Sequence, residues 1–245
     1  MSFTTNNNGR LGNQIIRNLA LSLIAKKYNL KVNYSNNTLI TELGIPLYSG
    51  TNQYLNTIHL TDENYFNILN SDKLEYNLNP NNNYFQTKEI IQLLYNYLHN
   101  YEIKKNIIDK NVFNVRYNNN NDLFIHVRLG DVSHYNPGIH YYLNTIRKIS
   151  SYDTMYIATD DINHGIINTI INHYPNSKII HNNEIDTIQF ASTCKHVILS
   201  HGSFSAVIGY LSFNSTIYYP EYESNKIWYG DMFSIENWNK CSVLK

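Results

Sequence analysis

The chain of 245 residues predicts an α/β fold built as two Rossmann-like lobes whose parallel sheets face a cleft. Three observations predict it. In the second half, short apolar runs alternate with amphipathic stretches of roughly 10 residues, and strands joined by such helices pair in parallel through right-handed crossovers. A polar, Asn-rich run from Tyr117 to Asp122 divides the chain almost in half, just before a strongly apolar segment. The first half opens on a short strand, a Gly-containing turn and a long helix, which begins a second α/β layer. The expected lobes are residues 1–117 and 118–245.

Taken in order, Ser2 to Thr5 reads as a strand and Asn13 to Tyr28 as a helix, because Ile15, Leu19, Ala20 and Leu23 share a face. Lys31 to Tyr34 is the next strand. From Thr38 to Asn111 the periodicity weakens, with helices expected at Glu63 to Leu69, Lys88 to Leu98 and Tyr101 to Ile108. After the Asn-rich run the alternation is regular. Leu123 to Arg128 is a buried strand, Ile139 to Ile149 a helix, Met155 to Thr159 a strand and Ile162 to His173 a helix. Lys178 to His181 is a strand, Ile185 to Cys194 a helix, His196 to Ser200 a strand, Ser203 to Phe213 a helix, and Thr216 to Tyr219 a closing strand.

Lys plus Arg equals Asp plus Glu at 19 each, so no global field gathers nucleic acid or an anionic membrane, and any anion must be bound locally. The two cysteines, Cys194 and Cys241, make neither a disulfide framework nor a metal-ligand spacing. Met1 to Arg10 is polar rather than basic then apolar, and no apolar run reaches the roughly 18 to 20 residues of a membrane span. The expectation is a soluble, intracellular (cytoplasmic) protein without signal peptide or transmembrane helix.

Four constellations have the chemistry of an anion or nucleotide site. Gly9-Arg10-Leu11-Gly12-Asn13-Gln14 lies between strand and helix; its glycines permit a tight turn, and its polar side chains stand at a helix start. The same residues would serve as a plain Gly turn with an Asn cap. His126-Val127-Arg128-Leu129-Gly130-Asp131 ends the Leu123 strand, placing Arg128 where its planar fork would grip a diphosphate. The competing arrangement is a structural ion pair between Arg128 and Asp131 beside a buried, hydrogen-bonded His126. Thr159-Asp160-Asp161 follows the Met155 strand; its carboxylates suit ribose or base recognition or a helix cap, and with no third oxygen ligand no metal site is expected. Ser200-His201-Gly202-Ser203-Phe204-Ser205 precedes a helix whose free N–H groups and hydroxyls make an anion site or, equally, a Ser-rich cap. Three of the four follow parallel strands on one rim, and together they suit a nucleotide diphosphate.

At these positions the chain resembles glycosyltransferase family 11, the α-1,2-fucosyltransferases, and more distantly other fucosyltransferases of GT-B type. Gly9 to Gln14 is similar to that family's Gly-Leu-Gly-Asn-Gln signature, and Tyr84-Phe85-Gln86-Thr87-Lys88 to its Tyr-Phe/Trp-Gln-Ser-Glu segment. His126 to Asp131 resembles its His-x-Arg-x-Gly-Asp motif, and Tyr156 to Asp161 its Phe-Ser-Asp-Asp strand end. Cys194-Lys195-His196 with Ser200 to Ser205 resembles the Cys-Lys-His and Asn-Ser-Ser-Phe-Ser block. Leu129 stands where a second arginine is common, Arg10 where Gly is frequent, His201 and Gly202 where Asn and Ser are usual, and Ala206-Val207 in place of a Trp pair.

The resemblance implies a GT-B-like pair of lobes, a GDP-sugar as co-substrate rather than a resident cofactor, inversion at the anomeric carbon, and no metal. It implies fucose transfer from GDP-fucose to a glycan hydroxyl, with residues 1–117 on the acceptor side and 118–245 binding GDP-sugar. Arg128 would hold the phosphates; His126 and Asp160 or Asp161 would meet the nucleoside; Ser203, Phe204 and Ser205 would bind phosphate. Arg10, Gly12, Asn13 and Gln14 would approach the donor from the first lobe, with Asn13 among the catalytic groups. Asp131 is a candidate base by position alone. Another GDP-sugar (rhamnose or mannose type), or an inactive nucleotide- or glycan-binding module, are the competing functions.

Overall fold

The computed structural model describes residues 3–4, 9–221 and 231–243. Local packing divides the chain into two compact units, Met1–Ile107 with Tyr229–Met232, and Ile108–Trp228 with Phe233–Lys245.

In the first unit, β1 (Phe3–Thr4) and β2 (Val32–Asn33) pair in parallel across the 18-residue α1 (Leu11–Tyr28). Ser2 and Thr5, the ends of the strand expected there, lie outside the described residues. Helix α1 is buried on nearly every face from Leu11 to Ala25 and packs on α3 (Tyr65–Asn70) and α4 (Lys88–Leu98). Two tyrosines pin α3 by their hydroxyls: Tyr65 donates to the Ala20 carbonyl at 2.9 Å, and Tyr28 to that of Ile68 at 2.6 Å. Asn29 ends α1 in the left-handed region, which Asn tolerates better than other side-chain-bearing residues. A six-residue helix, α2 (Asn37–Glu42), and a parallel pair, β3 (Thr57–His59) with β4 (Asn77–Asn79), fill the stretch where periodicity is weak. Elements this short leave no alternation to read. The helix α5 (Tyr101–Lys110) follows α4.

The second unit is a six-stranded sheet of β5 (Leu123–Val127), β6 (Met155–Thr159), β7 (Lys178–Ile179), β8 (His196–Ile198), β9 (Thr216–Pro220) and β10 (Asn239–Cys241). Its spatial order is β10-β9-β8-β5-β6-β7, and every neighbouring pair is parallel. The chain starts at the centre with β5, winds outward through β6 and β7, then returns to the other side of β5. This is a Rossmann-like, doubly wound order, and its direction reverses between β5 and β8. Being central, β5 is buried along its whole length. Ile125 and Val127 join a core with Ile157 and with residues of α6 (Ile139–Lys148) and α7 (Gly165–His173). On the other face, His126 lies 5.3 Å from the ring of Phe204 in α9 (Ser203–Leu211), which packs beside α8 (Glu184–Ala191).

Three expectations need correction. The Thr216 strand does not close the sheet, because β10 lies beyond it; Asn239-Lys240-Cys241 is too short and polar to announce a strand. Helix α7 begins at Gly165, not Ile162, since Asp161 closes a turn by accepting from the Asn163 N–H at 3.1 Å and His164 caps the helix from Nδ1. The unit division falls at Ile107/Ile108, ahead of the Asn-rich run, because that run is tied into the second unit. Asn120 donates to the Thr193 carbonyl at 3.0 Å, and Asp122 holds Arg116 at 2.7 Å and accepts from the Thr154 N–H at 3.1 Å. Among the described residues, no helix is long and apolar enough to cross a membrane.

Candidate functional site

Open parallel sheets bind ligands beyond the carboxyl ends of their strands, where the winding reverses, so the loops after β5 and β8 mark the candidate site. Arg128 follows β5 directly. Its guanidinium donates through Nη1 to Asp160, which follows β6, and through Nη2 to Asp131 at 2.5 Å. Asp160 also accepts from the Leu129 N–H at 2.7 Å, so one carboxylate fastens the ends of two adjacent strands together. It approaches so closely that a Cβ on Gly130, at φ +32, would stand 2.6 Å from its Oδ2, which explains a glycine there. The Arg128 side chain is 14% exposed, against 28% for Asp160 and 58% for Asp131.

Ser200, fully buried at the end of β8, joins this cluster to its surroundings. Its Oγ accepts from the Arg128 N–H at 3.1 Å and contacts the Tyr142 hydroxyl at 2.9 Å and His201 Nδ1 at 3.3 Å. Asn136 then links the Tyr142 hydroxyl (3.0 Å) to the Arg128 carbonyl (2.8 Å). The Ser200 N–H donates to Ser205 Oγ at 2.9 Å, and that hydroxyl lies 2.6 Å from His126 Nδ1. Ser205 Oγ thereby joins Ser200 and His126 in one buried hydrogen-bonded chain. Burial, then the neighbouring His201 and Arg128, push His126 down to about 3. Burial and Arg128 push His201 down to about 4. Both histidines are therefore neutral near pH 7, and the positive charge of the cluster resides on Arg128.

Helix α9 starts behind Gly202 (φ 87, ψ 163) with no side-chain cap. The first turn closes only with the Ala206 N–H to the Gly202 carbonyl at 3.1 Å, which leaves the N–H groups of Ser203, Phe204 and Ser205 without a protein partner among the described residues. Unsatisfied N–H groups at the positive end of a helix favour an anion.

The structure thus brings together Arg128, Asp131 and Asp160, and links them through Ser200 to His126, Ser205 and the start of α9. Ser203 and Phe204 are half-buried at that helix start. Other expected site residues behave differently. Ser205 is fully buried and oriented inward, so its side chain positions His126 and does not face a phosphate. Asp160 is engaged by the strand ends, and Asp161 shapes the loop before α7, so neither caps that helix. The Ser-rich cap is absent too, the capping position being Gly202.

Arg10, Gly12, Asn13 and Gln14 belong to the first unit. There Gln14 Nε2 donates to the Gly9 carbonyl at 2.8 Å and its Oε1 accepts from Asn36 at 2.5 Å, while Asn13 Oδ1 accepts from the buried Gln86 at 2.9 Å. Gly12 is buried in the first turn of α1, and Arg10 is the exposed, extended residue that precedes it. Sequence reasoning missed Tyr142 and Asn136. Their signals were present: a tyrosine on the buried face of an amphipathic helix requires a hydroxyl partner, and Asn136-Pro137-Gly138 is a turn tripeptide. Among the described residues, no group of three or more His, Cys, Asp or Glu side chains is arranged to hold a metal.

The chain matches no protein-family model and no curated protein.

Proposed function

We propose that this chain is an inverting, sugar-nucleotide-dependent glycosyltransferase of GT-B type that moves fucose from GDP-fucose to a hydroxyl of a glycan acceptor. One observation carries it. At the reversal point of a doubly wound parallel sheet, the backbone N–H of Arg128 and the Ser205 hydroxyl of α9 meet at the same buried serine, Ser200. A fork-shaped cation at one strand end and a helix start with free N–H groups at the next are the groups a diphosphate would use.

In the proposed reaction an acceptor hydroxyl attacks the anomeric carbon as GDP departs from the opposite face. Negative charge grows on the diphosphate, and Arg128 with the N–H groups of Ser203 and Phe204 stabilises it where it develops. Neutral His126 is held in place by Ser205. The GDP-sugar is a co-substrate, and the scheme uses no metal and no resident cofactor. GDP-rhamnose or GDP-mannose would suit the same phosphate site.

A second function, nucleotide binding without turnover, is favoured by one specific observation: both amino groups of the Arg128 fork already hold carboxylates. Calorimetric titration with GDP, followed by assays of GDP-fucose, GDP-mannose and GDP-rhamnose hydrolysis, separates these outcomes. Binding with turnover of GDP-fucose supports the fucosyltransferase. Binding without turnover of any donor supports the inactive module, and absence of GDP binding removes both.

A further inference from the structure

We propose that Tyr142 is a positioning residue for Arg128: with Asn136 and Ser200 it closes a hydrogen-bonded ring through the Arg128 main chain and fixes the backbone from which the guanidinium extends. The role rests on Arg128 being the phosphate ligand of the proposed function.

The ring passes through four residues. The Arg128 N–H donates to Ser200 Oγ at 3.1 Å, and Ser200 Oγ lies 2.9 Å from the Tyr142 hydroxyl. Asn136 Nδ2 reaches that hydroxyl at 3.0 Å and returns to the Arg128 carbonyl at 2.8 Å. Both main-chain polar groups of Arg128 are thus held, and the two arms meet at the Tyr142 hydroxyl. The neighbours of Asn136 settle which way its amide points: the Arg128 carbonyl can only accept, and the Gly138 N–H, which can only donate, meets Oδ1 at 2.9 Å. Tyr142 is fully buried, and burial raises the pKa of its phenol well above the usual value, so the hydroxyl keeps its proton.

The segment that follows Arg128 offers little hold of its own. Gly130–Tyr135 is a 3-10 stretch without a buried residue, and its Val132 departs from helical geometry (φ −126, ψ 24). Asp160 fastens the next residue instead, through the Leu129 N–H at 2.7 Å. A binding side chain is placed only as well as the backbone that carries it, and a site fixed beforehand loses less freedom when its ligand arrives. The neighbouring Tyr141 provides an internal comparison. It is also fully buried on α6, but its hydroxyl donates to the Leu199 carbonyl at 2.7 Å and stands outside the ring.

The test compares Tyr142→Phe with Tyr141→Phe in the full-length protein by NMR amide exchange, calorimetric titration of GDP and thermal melting. Tyr142→Phe is expected to speed exchange of the Arg128 amide about three- to tenfold relative to the amides of β6, matching the loss of one hydrogen bond, and to weaken GDP binding about two- to fivefold. Tyr141→Phe is expected to lower the melting temperature similarly while leaving both of those readouts at parental values. Asn136→Ala, which cuts the other arm of the ring, is expected to act as Tyr142→Phe does and replaces it if that variant fails to fold. Suppose the parent binds GDP and an Arg128→Ala variant does not. Parental exchange or parental GDP affinity in both ring variants, or equal losses in Tyr141→Phe, then overturns the positioning role and leaves Arg128 as the phosphate ligand. Absence of GDP binding in the parent, or undiminished binding in Arg128→Ala, overturns the phosphate site and the positioning role together.

Discussion

Two helices of this chain start in the same way and serve different ends. Helix α1 follows Gly9 at φ 82 and α9 follows Gly202 at φ 87, and neither has a side-chain cap. At α1 the following polar residues are absorbed by the scaffold. Gln14 binds back to Gly9 and is held by Asn36, Asn13 is held by Gln86, and a Cβ on Gly9 would stand 2.5 Å from the Asn13 amide. At α9 a Cβ on Gly202 would meet nothing within 4 Å, and the Ser203 hydroxyl makes no protein hydrogen bond among the described residues. Only Ser205 turns inward, to His126. The difference lies in the side chains: Asn36 and Gln86 hold the polar side chains that follow Gly9, whereas the Ser203 side chain that follows Gly202 is left without a protein partner among the described residues.

The sharpest break of this contrast is Arg128→Ala. Loss of a charge-stabilising donor on the α9 side costs about 2.7 to 4 kcal/mol in the transition state, so donor turnover is expected to fall by about 100- to 1000-fold while circular dichroism retains the α/β signature. Parental turnover in this variant would leave the α9 rim without a catalytic role.

Acid is expected to weaken the second unit next most strongly. His126 and His201 have folded-state values depressed to about 3 and about 4, below the ordinary value of 6.5. Above pH 6.5 both states keep them neutral and their stabilisation is complete. As pH falls toward 3 to 4, the unfolded chain binds protons that the folded one refuses, and stability is lost by up to about 1.4 kcal/mol per pH unit for each histidine. Urea midpoints measured from pH 7 to pH 4 should decline, and His126→Gln should flatten the slope. A slope unchanged by that substitution would mean that His126 is not held neutral.

Asn13→Ala tests the other helix start. It strands the Gln86 amide in the interior, where one atom already lacks a partner, and is expected to cost about 1 to 3 kcal/mol of stability, visible as a lower melting temperature. The smallest stability effect is expected for Ser203→Ala, within about 0.5 kcal/mol, with GDP binding weakened about two- to fivefold. If Ser203→Ala melts as early as Asn13→Ala, the two starts are alike and the contrast fails.

Much of this was legible from residue order because local periodicity records which face a segment buries. Met155–Thr159 and Lys88–Leu98 lie where alternation and helical spacing put them, and the β5 strand differs only in releasing Arg128 from its end. Segments of two or three residues, such as β3, β4 and β10, are too short to carry a period, and pairing with a neighbour makes them strands. The site divides in the same way. Which residue types stand at the strand ends can be read directly, but their partners cannot. Asp160 is 32 residues from Arg128, Ser200 is 72 from it, and Ser205 is 79 from His126. Residue order alone determined an alternating α/β second half with polar groups at three strand ends. The strand order, the two carboxylates on Arg128, the serine that joins β5 to α9 and the pairing of His126 with Ser205 were decided by tertiary structure, because hydrogen bonds between distant segments form only once the sheet has brought those segments together.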